Sequence, residues 1–412
     1  MTIITPATGA QAGPPDAAAA GTSWQGRYTG AMMGSLALPQ RMLSHGLGCA
    51  VWDVDGKRYL DFLAGIAVNS LGHAHPALIE AVTRQIATLA HVSNYFASAP
   101  QLALAEKLRE ITGAGDRGRV YFANSGAEAI EAAVKLARLN SRGGKRRILS
   151  LTNSFHGRTM GALSLTGKPA LRQDFEPLLP FADHIETTID SLEAAMGDDV
   201  AALVVEPIKG EAGVVDLPPG FLARARELTT RHGALLIVDE IQTGIGRTGK
   251  WFGFQHEGVM PDAVAIAKGL AGGVPIGALV TFGDTSELFK PGQHGSTFGG
   301  NPLATAAGLA VLTEIEASQL VDNAARRGAQ LRDVILSLAS PLIAEVRGRG
   351  LLIGVGLTEP VAGVIVEAAL SAGLIINAPN DSSIRIAPPL IVGDSEIEEF
   401  RVLFARALGA VA

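Results

Sequence analysis

Short apolar runs alternate with helical patterns along most of the chain. Six of these runs lack strict apolar–polar alternation, and each ends near a glycine, a proline or a polar turn. The predicted strands are 119–123, 147–152, 201–206, 234–239, 263–267 and 277–282. Helical patterns lie between some of them, at 76–89, 128–139 and 220–232. Because strands that are apolar on both faces must be covered on both, the pattern predicts an α/β fold with a largely parallel sheet between helices.

The two flanks of this region have a different pattern. Residues 45–62 predict a hairpin, while the C-terminal part combines a helical pattern at 303–315 with predicted strands at 348–357 and 384–387. We therefore expect a large domain at 71–300 and a smaller α/β domain built from 24–70 and 301–412. Residues 1–23 contain no Lys or Arg, so we expect a disordered tail rather than a signal or transit peptide.

Composition narrows the class of protein further. The 412 residues are 47% hydrophobic and 18% charged, which is typical of a globular chain that can form two or three domains. The net charge of −6, without clustered basic residues, argues against nucleic-acid binding. Cys49 is the only cysteine, which excludes an intramolecular disulfide and fits a reducing cytoplasm. The apolar stretch 361–379 is interrupted by Glu367 and Ser371, so we expect no membrane span.

Polar residues stand in a distinctive order at the ends of the predicted strands. A Ser125-Gly126-Ala127 segment follows the first strand, Asp239 ends the fourth, and Lys268 follows the fifth. Ligands of parallel sheets bind beyond the carboxyl ends of the strands. A cofactor aldehyde needs a lysine to hold it, its ring nitrogen needs a carboxylate, and its phosphate needs the free N–H groups of a helix start. The order therefore predicts a pyridoxal phosphate site.

Each residue has a plainer interpretation when taken alone. Ser125 could be only a helix cap, and an isolated Lys268 would most often be a solvated side chain. The string Gly244-Ile245-Gly246-Arg247-Thr248-Gly249 matches a dinucleotide pattern, but it neither follows its strand directly nor opens a helical pattern. We therefore expect no nicotinamide site. The pyridoxal phosphate hypothesis depends on the combination of residues and not on any single one.

Many segments in the same order give the chain a family resemblance. From about Gly30 to the C-terminus it resembles the class III (fold-type I) pyridoxal phosphate aminotransferases. The matching segments are Gly65-Ile66-Ala67-Val68-Asn69, Leu71-Gly72-His73, Asn124-Ser125-Gly126-Ala127-Glu128-Ala129, Phe155-His156-Gly157-Arg158-Thr159, Glu206-Pro207-Ile208, Gly210-Glu211, Asp239-Glu240-Ile241-Gln242-Thr243-Gly244, Ala267-Lys268-Gly269 and His294-Gly295-Ser296-Thr297-Phe298-Gly299-Gly300-Asn301-Pro302. This resemblance implies a seven-stranded, mainly parallel sheet in the large domain.

The resemblance also implies a role for each cofactor residue. Lys268 would hold the cofactor covalently and move protons during the reaction, and Asp239 would pair with the pyridine nitrogen. Gln242 would bond to the phenolic oxygen, while Phe155 and Ile241 would pack on the two ring faces.

The phosphate would lie on the backbone N–H groups of Ser125, Gly126 and Ala127. Thr297 would reach it from the other subunit of a homodimer with shared sites.

For the substrates, the resemblance implies N2-acetylornithine as amino donor and 2-oxoglutarate as acceptor, a step of arginine biosynthesis. Arg158 would grip a substrate carboxylate. Arg385 would pair with Glu211 when the donor has an uncharged tail, and would be released to the distal carboxylate of 2-oxoglutarate or glutamate. Glu206 would orient Arg158 or its loop.

Other functions stay open at this stage. Asn94, Tyr95 and Ser296 are expected to contact substrate. Tyr95 departs from the family pattern and Asn94 precedes it, so ornithine, succinylornithine and γ-aminobutyrate remain alternative donors. An aminomutase on the same fold would keep Lys268 but would not need to admit 2-oxoglutarate. A binding protein without catalysis would need no cofactor.

Overall fold

The computed structural model describes residues 23–141 and 144–411. The tail expected at 1–23 lies outside these ranges except for Ser23, whose Oγ accepts a hydrogen bond from Gly26 N at the start of the first helix. Within the described residues, the helices fall short of the length and apolarity that crossing a membrane requires.

Strands and helices alternate through most of the described chain. In chain order the strands are β1 (Leu43–Leu47), β2 (Ala50–Asp53), β3 (Arg58–Asp61), β4 (Arg119–Ala123), β5 (Arg147–Leu151), β6 (Ala182–Ile185), β7 (Val200–Val205), β8 (Ile208–Lys209), β9 (Val215–Asp216), β10 (Leu235–Asp239), β11 (Ala263–Ile266), β12 (Gly277–Thr281), β13 (Ile343–Arg349), β14 (Leu352–Leu357), β15 (Leu374–Ile375), β16 (Asn377–Asn380) and β17 (Ser383–Ile386). The α-helices are α1 (Trp24–Ala31), α2 (Ala64–Ala67), α3 (Pro76–Thr88), α4 (Ala99–Thr112), α5 (Gly126–Leu139), α6 (Met160–Leu165), α7 (Pro169–Arg172), α8 (Ile189–Ala195), α9 (Phe221–His232), α10 (Pro302–Ala317), α11 (Leu320–Ser337), α12 (Ala362–Ala372) and α13 (Asp394–Gly409).

A seven-stranded sheet in the order β4-β12-β11-β10-β7-β5-β6 forms the centre of the large region. Strand β12 runs antiparallel to both of its neighbours, and the other pairs are parallel. The expected seven-stranded, mainly parallel sheet is therefore confirmed. Edge strand β6 was not predicted, because its sequence Ala-Asp-His-Ile is half polar and most of its residues are only half-buried.

Both faces of this sheet are covered. On β7, Ala202 and Val204 pack in the same apolar layer as helix α5, whereas Leu203 and Val205 pack in the layer that contains the buried side chains of α9. Successive residues of a strand point to opposite faces, so a strand between two helix layers must be apolar throughout. The continuous apolar runs in the sequence have this cause.

Smaller sheets lie at the two ends of the chain. One has the order β1-β2-β3-β15, in which β15 from the C-terminal part pairs in parallel with β3 from the N-terminal part. A second has the order β13-β14-β17-β16. The strand expected at 348–357 is instead a hairpin, because Gly350 adopts a left-handed conformation (φ 53°) between β13 and β14. The division into domains 24–70, 71–300 and 301–412 stays a prediction.

Candidate active site

A cavity of about 410 Å³ opens beyond the carboxyl ends of the central strands. Its lining contains ten of the residues expected at the site, namely Ser125, Gly126, Ala127, Phe155, Arg158, Glu211, Asp239, Ile241, Gln242 and Lys268. They come from separate loops, and the sheet brings those loops together because its parallel strands end at one edge.

Lys268 follows strand β11 and faces the cavity. Its backbone has φ 41°, a left-handed conformation that is unusual for a residue with a side chain and that is found most often at functional positions. Burial lowers the pKa of the Lys268 amine, and the charge of Glu211 opposes this shift only in part. A larger fraction of the amine is therefore neutral, which is the nucleophilic form, than in an exposed lysine.

Asp239 ends strand β10 and is held on both carboxylate oxygens. Its Oδ1 accepts a hydrogen bond from Ile241 N at 3.0 Å, and its Oδ2 lies 2.7 Å from Nδ1 of the buried His156. Burial alone lowers the pKa of His156, but the hydrogen bond and charge of Asp239 outweigh burial and raise it. The carboxylate is thus fixed in orientation at the cavity wall.

The start of helix α5 forms a second wall. Ser125 caps this helix through its Oγ, which accepts a hydrogen bond from Glu128 N at 3.2 Å. The first N–H groups of a helix have no partner inside it and favour an anion. A side-chain carbon at Gly126 would lie 2.8 Å from Ile241 Cδ1, so a larger residue here would displace Ile241. Phe155 and Ile241 also line the cavity.

A buried ion pair lies at the cavity wall, where Glu211 and Gln242 line the cavity and Arg385 contacts both from outside the lining. Arg385 on β17 is 1% exposed, and its Nη1 donates to Glu211 Oε1 at 2.5 Å and to Gln242 Oε1 at 3.1 Å. Its Nε donates to Asn377 Oδ1 at 3.1 Å. Burial alone raises the pKa of Glu211, but the charge and hydrogen bond of Arg385 outweigh burial and lower it. The expected pairing of Glu211 with Arg385 is present in the geometry.

Two further charged residues, Arg158 and Glu206, line the cavity. Arg158 is exposed at the cavity wall, where its guanidinium lies 5.7 Å from the Phe155 ring centroid. Glu206 accepts hydrogen bonds from Phe155 N at 2.9 Å and from Gly210 N at 3.3 Å. Glu206 therefore orients these loops, the second of the two roles expected for it, and burial raises its pKa to about 7.

Besides Arg385, four expected residues lie outside the cavity lining: Asn94, Tyr95, Ser296 and Thr297. Asn94 Nδ2 donates to Ser296 O at 2.9 Å, and Ser296 Oγ accepts from Asn124 Nδ2 at 3.1 Å. Tyr95 is 92% exposed, and Thr297 is also exposed. Asn94 and Ser296 thus connect to Asn124, which lines the cavity, and the roles of all four residues stay predictions.

Sequence reasoning assigned no role to His156 or Lys168. His156 follows Phe155 in a segment that had been matched to the family, and a buried histidine two residues from a matched arginine was the available signal. Lys168 lies outside every matched segment. Its Nζ donates to Glu211 O at 2.5 Å, a contact between residues 43 positions apart that only the fold reveals.

These groups suit the cofactor that the sequence predicts. An amine with a lowered pKa, a fixed carboxylate and a helix N-terminus surround one cavity, which is the donor set needed by an aldehyde, a pyridine nitrogen and a phosphate. The side chains of Phe155 and Ile241 supply apolar walls for a planar ring.

Comparison with known proteins identifies the family. The family Aminotransferase class-III matches residues 33–408, so the chain belongs to the class III aminotransferases. Among curated relatives, the acetylornithine aminotransferase of Streptomyces coelicolor is 50% identical over 376 residues, which cover 91% of this chain and 92% of that protein. The acetylornithine aminotransferase of Mycobacterium leprae is 52% identical over 377 residues, with 91% and 93% covered.

Solved structures of related proteins have the same fold. The ornithine aminotransferase of Toxoplasma gondii has a TM-score of 0.88 at 36% identity, covering 93% of this chain and 94% of that one. The acetylornithine aminotransferase of Elizabethkingia anophelis has a TM-score of 0.82 at 33% identity, with 93% and 97% covered. The α/β fold class and the family resemblance are thus confirmed.

Proposed function

We propose that this chain is a pyridoxal-phosphate-dependent aminotransferase that moves the δ-amino group of N2-acetylornithine to 2-oxoglutarate. The products are N-acetylglutamate 5-semialdehyde and glutamate, and the reaction belongs to arginine biosynthesis. Curated relatives about half identical over most of the chain carry the matching name. The observation that carries the proposal is the buried Arg385–Glu211 pair, whose Glu211 lines the same cavity as Lys268.

The chain's residues divide the work of holding the cofactor. Lys268 would hold the aldehyde group through its Nζ, Asp239 would pair with the ring nitrogen, and Gln242 would hydrogen-bond to the phenolic oxygen. The N–H groups of Gly126 and Ala127, at the capped start of α5, bind the phosphate. When bound, pyridoxal phosphate supplies an electron-withdrawing ring that stabilises negative charge on the substrate carbon bearing the nitrogen.

Lys268 has a second task once the substrate amine has displaced it. Its freed Nζ would take a proton from the substrate carbon that bears the nitrogen and would deliver that proton to the carbon that had been the cofactor's aldehyde carbon. The pKa of Lys268 is lowered by burial, so the neutral amine needed for this task is available. Asp239 keeps its orientation beside His156, because both of its oxygens are already hydrogen-bonded.

The ion pair lets one pocket accept two kinds of substrate tail. With N2-acetylornithine the acetamido tail is uncharged, and Glu211 keeps the buried Arg385 neutralised. With 2-oxoglutarate or glutamate, the distal carboxylate takes the place of Glu211 on Arg385. In both states the buried guanidinium has an anionic partner, which matters because an unpaired buried charge costs several kcal/mol. Arg158, exposed at the cavity wall, binds the other substrate carboxylate through two parallel N–H donors.

The assembly belongs to the same proposal. We place the chain in a cytoplasmic homodimer in which Thr297 of one subunit completes the phosphate site of the other. Tyr95 and Thr297 are exposed and lie outside the cavity lining of their own chain, which supports this arrangement because a second subunit gives them a site to contact. Size measurement of the purified protein with and without cofactor tests it; a monomeric active enzyme contradicts it.

A donor panel tests the substrate assignment. The purified protein with pyridoxal phosphate and 2-oxoglutarate is given N2-acetylornithine, ornithine, succinylornithine or γ-aminobutyrate, and glutamate formation is measured. We expect the highest kcat/KM with N2-acetylornithine. A higher value with another donor replaces the substrate but keeps the reaction, whereas an absence of glutamate with all four donors contradicts the proposed function.

A further inference from the structure

The loop that carries Glu211 is held by its backbone carbonyls. Lys168 Nζ donates to Glu211 O at 2.5 Å, and Asn380 Nδ2 donates to Ala212 O at 3.0 Å. Arg347 Nε donates to Gly213 O at 2.9 Å. Three consecutive carbonyls therefore each accept a hydrogen bond from a side chain of another element.

This anchoring limits how Glu211 can leave Arg385. The backbone of the loop cannot shift without breaking several hydrogen bonds at once, two of them from charged donors. The Glu211 side chain itself is 25% exposed and has room to rotate, whereas Arg385 is 1% exposed and also bonded to Gln242. Rotation of the glutamate side chain over an unmoved backbone is therefore the movement that breaks the fewest contacts when Arg385 is released.

A rotated Glu211 carboxylate needs a new cation. Its nearby positive groups are Arg385, Lys268 and Lys168, whose charges all lower the pKa of Glu211. When a dicarboxylate is bound, Arg385 is occupied by the substrate and Lys268 is engaged in the reaction. Lys168 is half-buried, and its Nζ already lies against the main-chain oxygen of Glu211.

We propose that Lys168 is the second partner of Glu211, receiving its carboxylate whenever a substrate carboxylate takes Arg385. Lys168 is thereby a positioning residue that sets the preference of the pocket for charged over uncharged substrate tails. This inference rests on the proposed function and extends it. Lys168 gives the released Glu211 carboxylate a cationic partner, so that it is not left unpaired in a partly buried site.

The test uses single-turnover reactions of the purified holoenzyme. The cofactor-loaded protein is mixed with L-glutamate or with N2-acetylornithine, and the loss of the visible absorbance of the bound cofactor is followed. For Lys168→Met we expect the specificity constant for glutamate to fall about tenfold, and the constant for N2-acetylornithine to fall less than about threefold. Lys168→Arg keeps the charge and is expected to stay within about threefold of the wild type for both.

Two comparisons separate the charge of Lys168 from its anchoring of the loop. Lys168→Gln keeps a donor for the Glu211 carbonyl but carries no charge, so we expect it to resemble Lys168→Met. In a Glu211→Gln background the carboxylate is gone, so Lys168→Met should change the glutamate constant less than about threefold, because the two residues act through one interaction. Lys250→Met, which removes an exposed lysine bonded to Gln255 O at 3.0 Å, is the control.

Clear outcomes overturn the inference. It is wrong if Lys168→Gln reacts with glutamate as the wild type does, if the loss from Lys168→Met persists undiminished with Glu211→Gln, or if both substrates lose equally. Failure of the wild-type enzyme to react with N2-acetylornithine is a different result. That failure contradicts the proposed donor, while the glutamate reactions of the same variants still decide the role of Lys168.

Discussion

Removing the charge of Glu211 is expected to change which substrates the pocket prefers. In Glu211→Gln an amide replaces the carboxylate, so the buried Arg385 keeps only neutral acceptors: the oxygen of the new amide and two others, Gln242 Oε1 at 3.1 Å and Asn377 Oδ1 at 3.1 Å. With an uncharged donor tail in the pocket, the guanidinium then has no anionic partner. With glutamate, the substrate's own carboxylate supplies that partner.

The size of the effect follows from burial. Removing one partner of a fully buried ion pair costs about 3–5 kcal/mol. Arg385 is fully buried, but Glu211 is 25% exposed and two neutral acceptors remain, which places the cost near the lower end, at about 3 kcal/mol. Since about 1.4 kcal/mol is a factor of ten, the ratio of kcat/KM for N2-acetylornithine to kcat/KM for glutamate should fall roughly 100-fold.

The assay measures both half-reactions separately with Glu211→Gln and with a control. Glu398→Gln removes a carboxylate 2.6 Å from Arg401 on the exposed surface of α13 and should leave the ratio unchanged, because surface ion pairs contribute little. The reasoning is refuted if the Glu211→Gln ratio stays within about threefold of the wild type. It is also refuted if Glu211→Gln chiefly abolishes cofactor binding.

Further predictions concern the cofactor site. Lys268→Ala should lose the visible absorbance of the covalently held cofactor and lower turnover at least 100-fold, by roughly the contribution of a positioned proton-transfer group; near-normal turnover would refute its role. Gly126→Ala places a carbon 2.8 Å from Ile241 Cδ1 and should weaken cofactor binding about tenfold in an equilibrium titration, with unchanged affinity as the contrary result. His156→Phe removes the partner of Asp239 Oδ2 and should weaken cofactor binding by about as much, which the same titration checks. Because the folded pKa of Lys268 is lowered, the cofactor-free protein should capture pyridoxal phosphate faster as pH rises and reach its plateau below the ordinary lysine pKa; a rate still rising through that pKa would show an unshifted amine.

The sequence was most informative where strands are buried on both faces. The predicted strand 119–123 coincides with β4, and the other five differ from the structure by one residue at an end or at both. Their continuous apolar pattern reflects helices on both sides of the sheet. Edge strand β6 escaped prediction because only one neighbour, β5, pairs with it, and its Asp183 and His184 are half exposed.

Residues at strand ends could be found for the same reason. Asp239 ends an apolar run, and Ser125 and Lys268 each come shortly after one. Their proximity to one another therefore follows from the parallel sheet alone. The direction of β12 could not be read in this way, since its five residues are as apolar as those of the parallel strands.

Contacts between distant loops were beyond sequence reasoning. The pairing of Arg385 with Glu211 was expected only through family resemblance, because 174 positions separate them and neither stands at the end of a central strand. Lys168 had no resemblance to support it, and its contact with the Glu211 carbonyl depends on how the segment before α7 packs against the β8–β9 loop.

The most direct test of the account is the absorbance spectrum of the purified, cofactor-saturated protein during two additions. We predict that N2-acetylornithine removes the yellow band of the bound cofactor and that subsequent 2-oxoglutarate restores it, because one pocket serves both half-reactions in turn. A band that persists through N2-acetylornithine but disappears with another amine would contradict the proposed donor. A protein that stays colourless after incubation with pyridoxal phosphate would contradict the role given to Lys268 and the account as a whole.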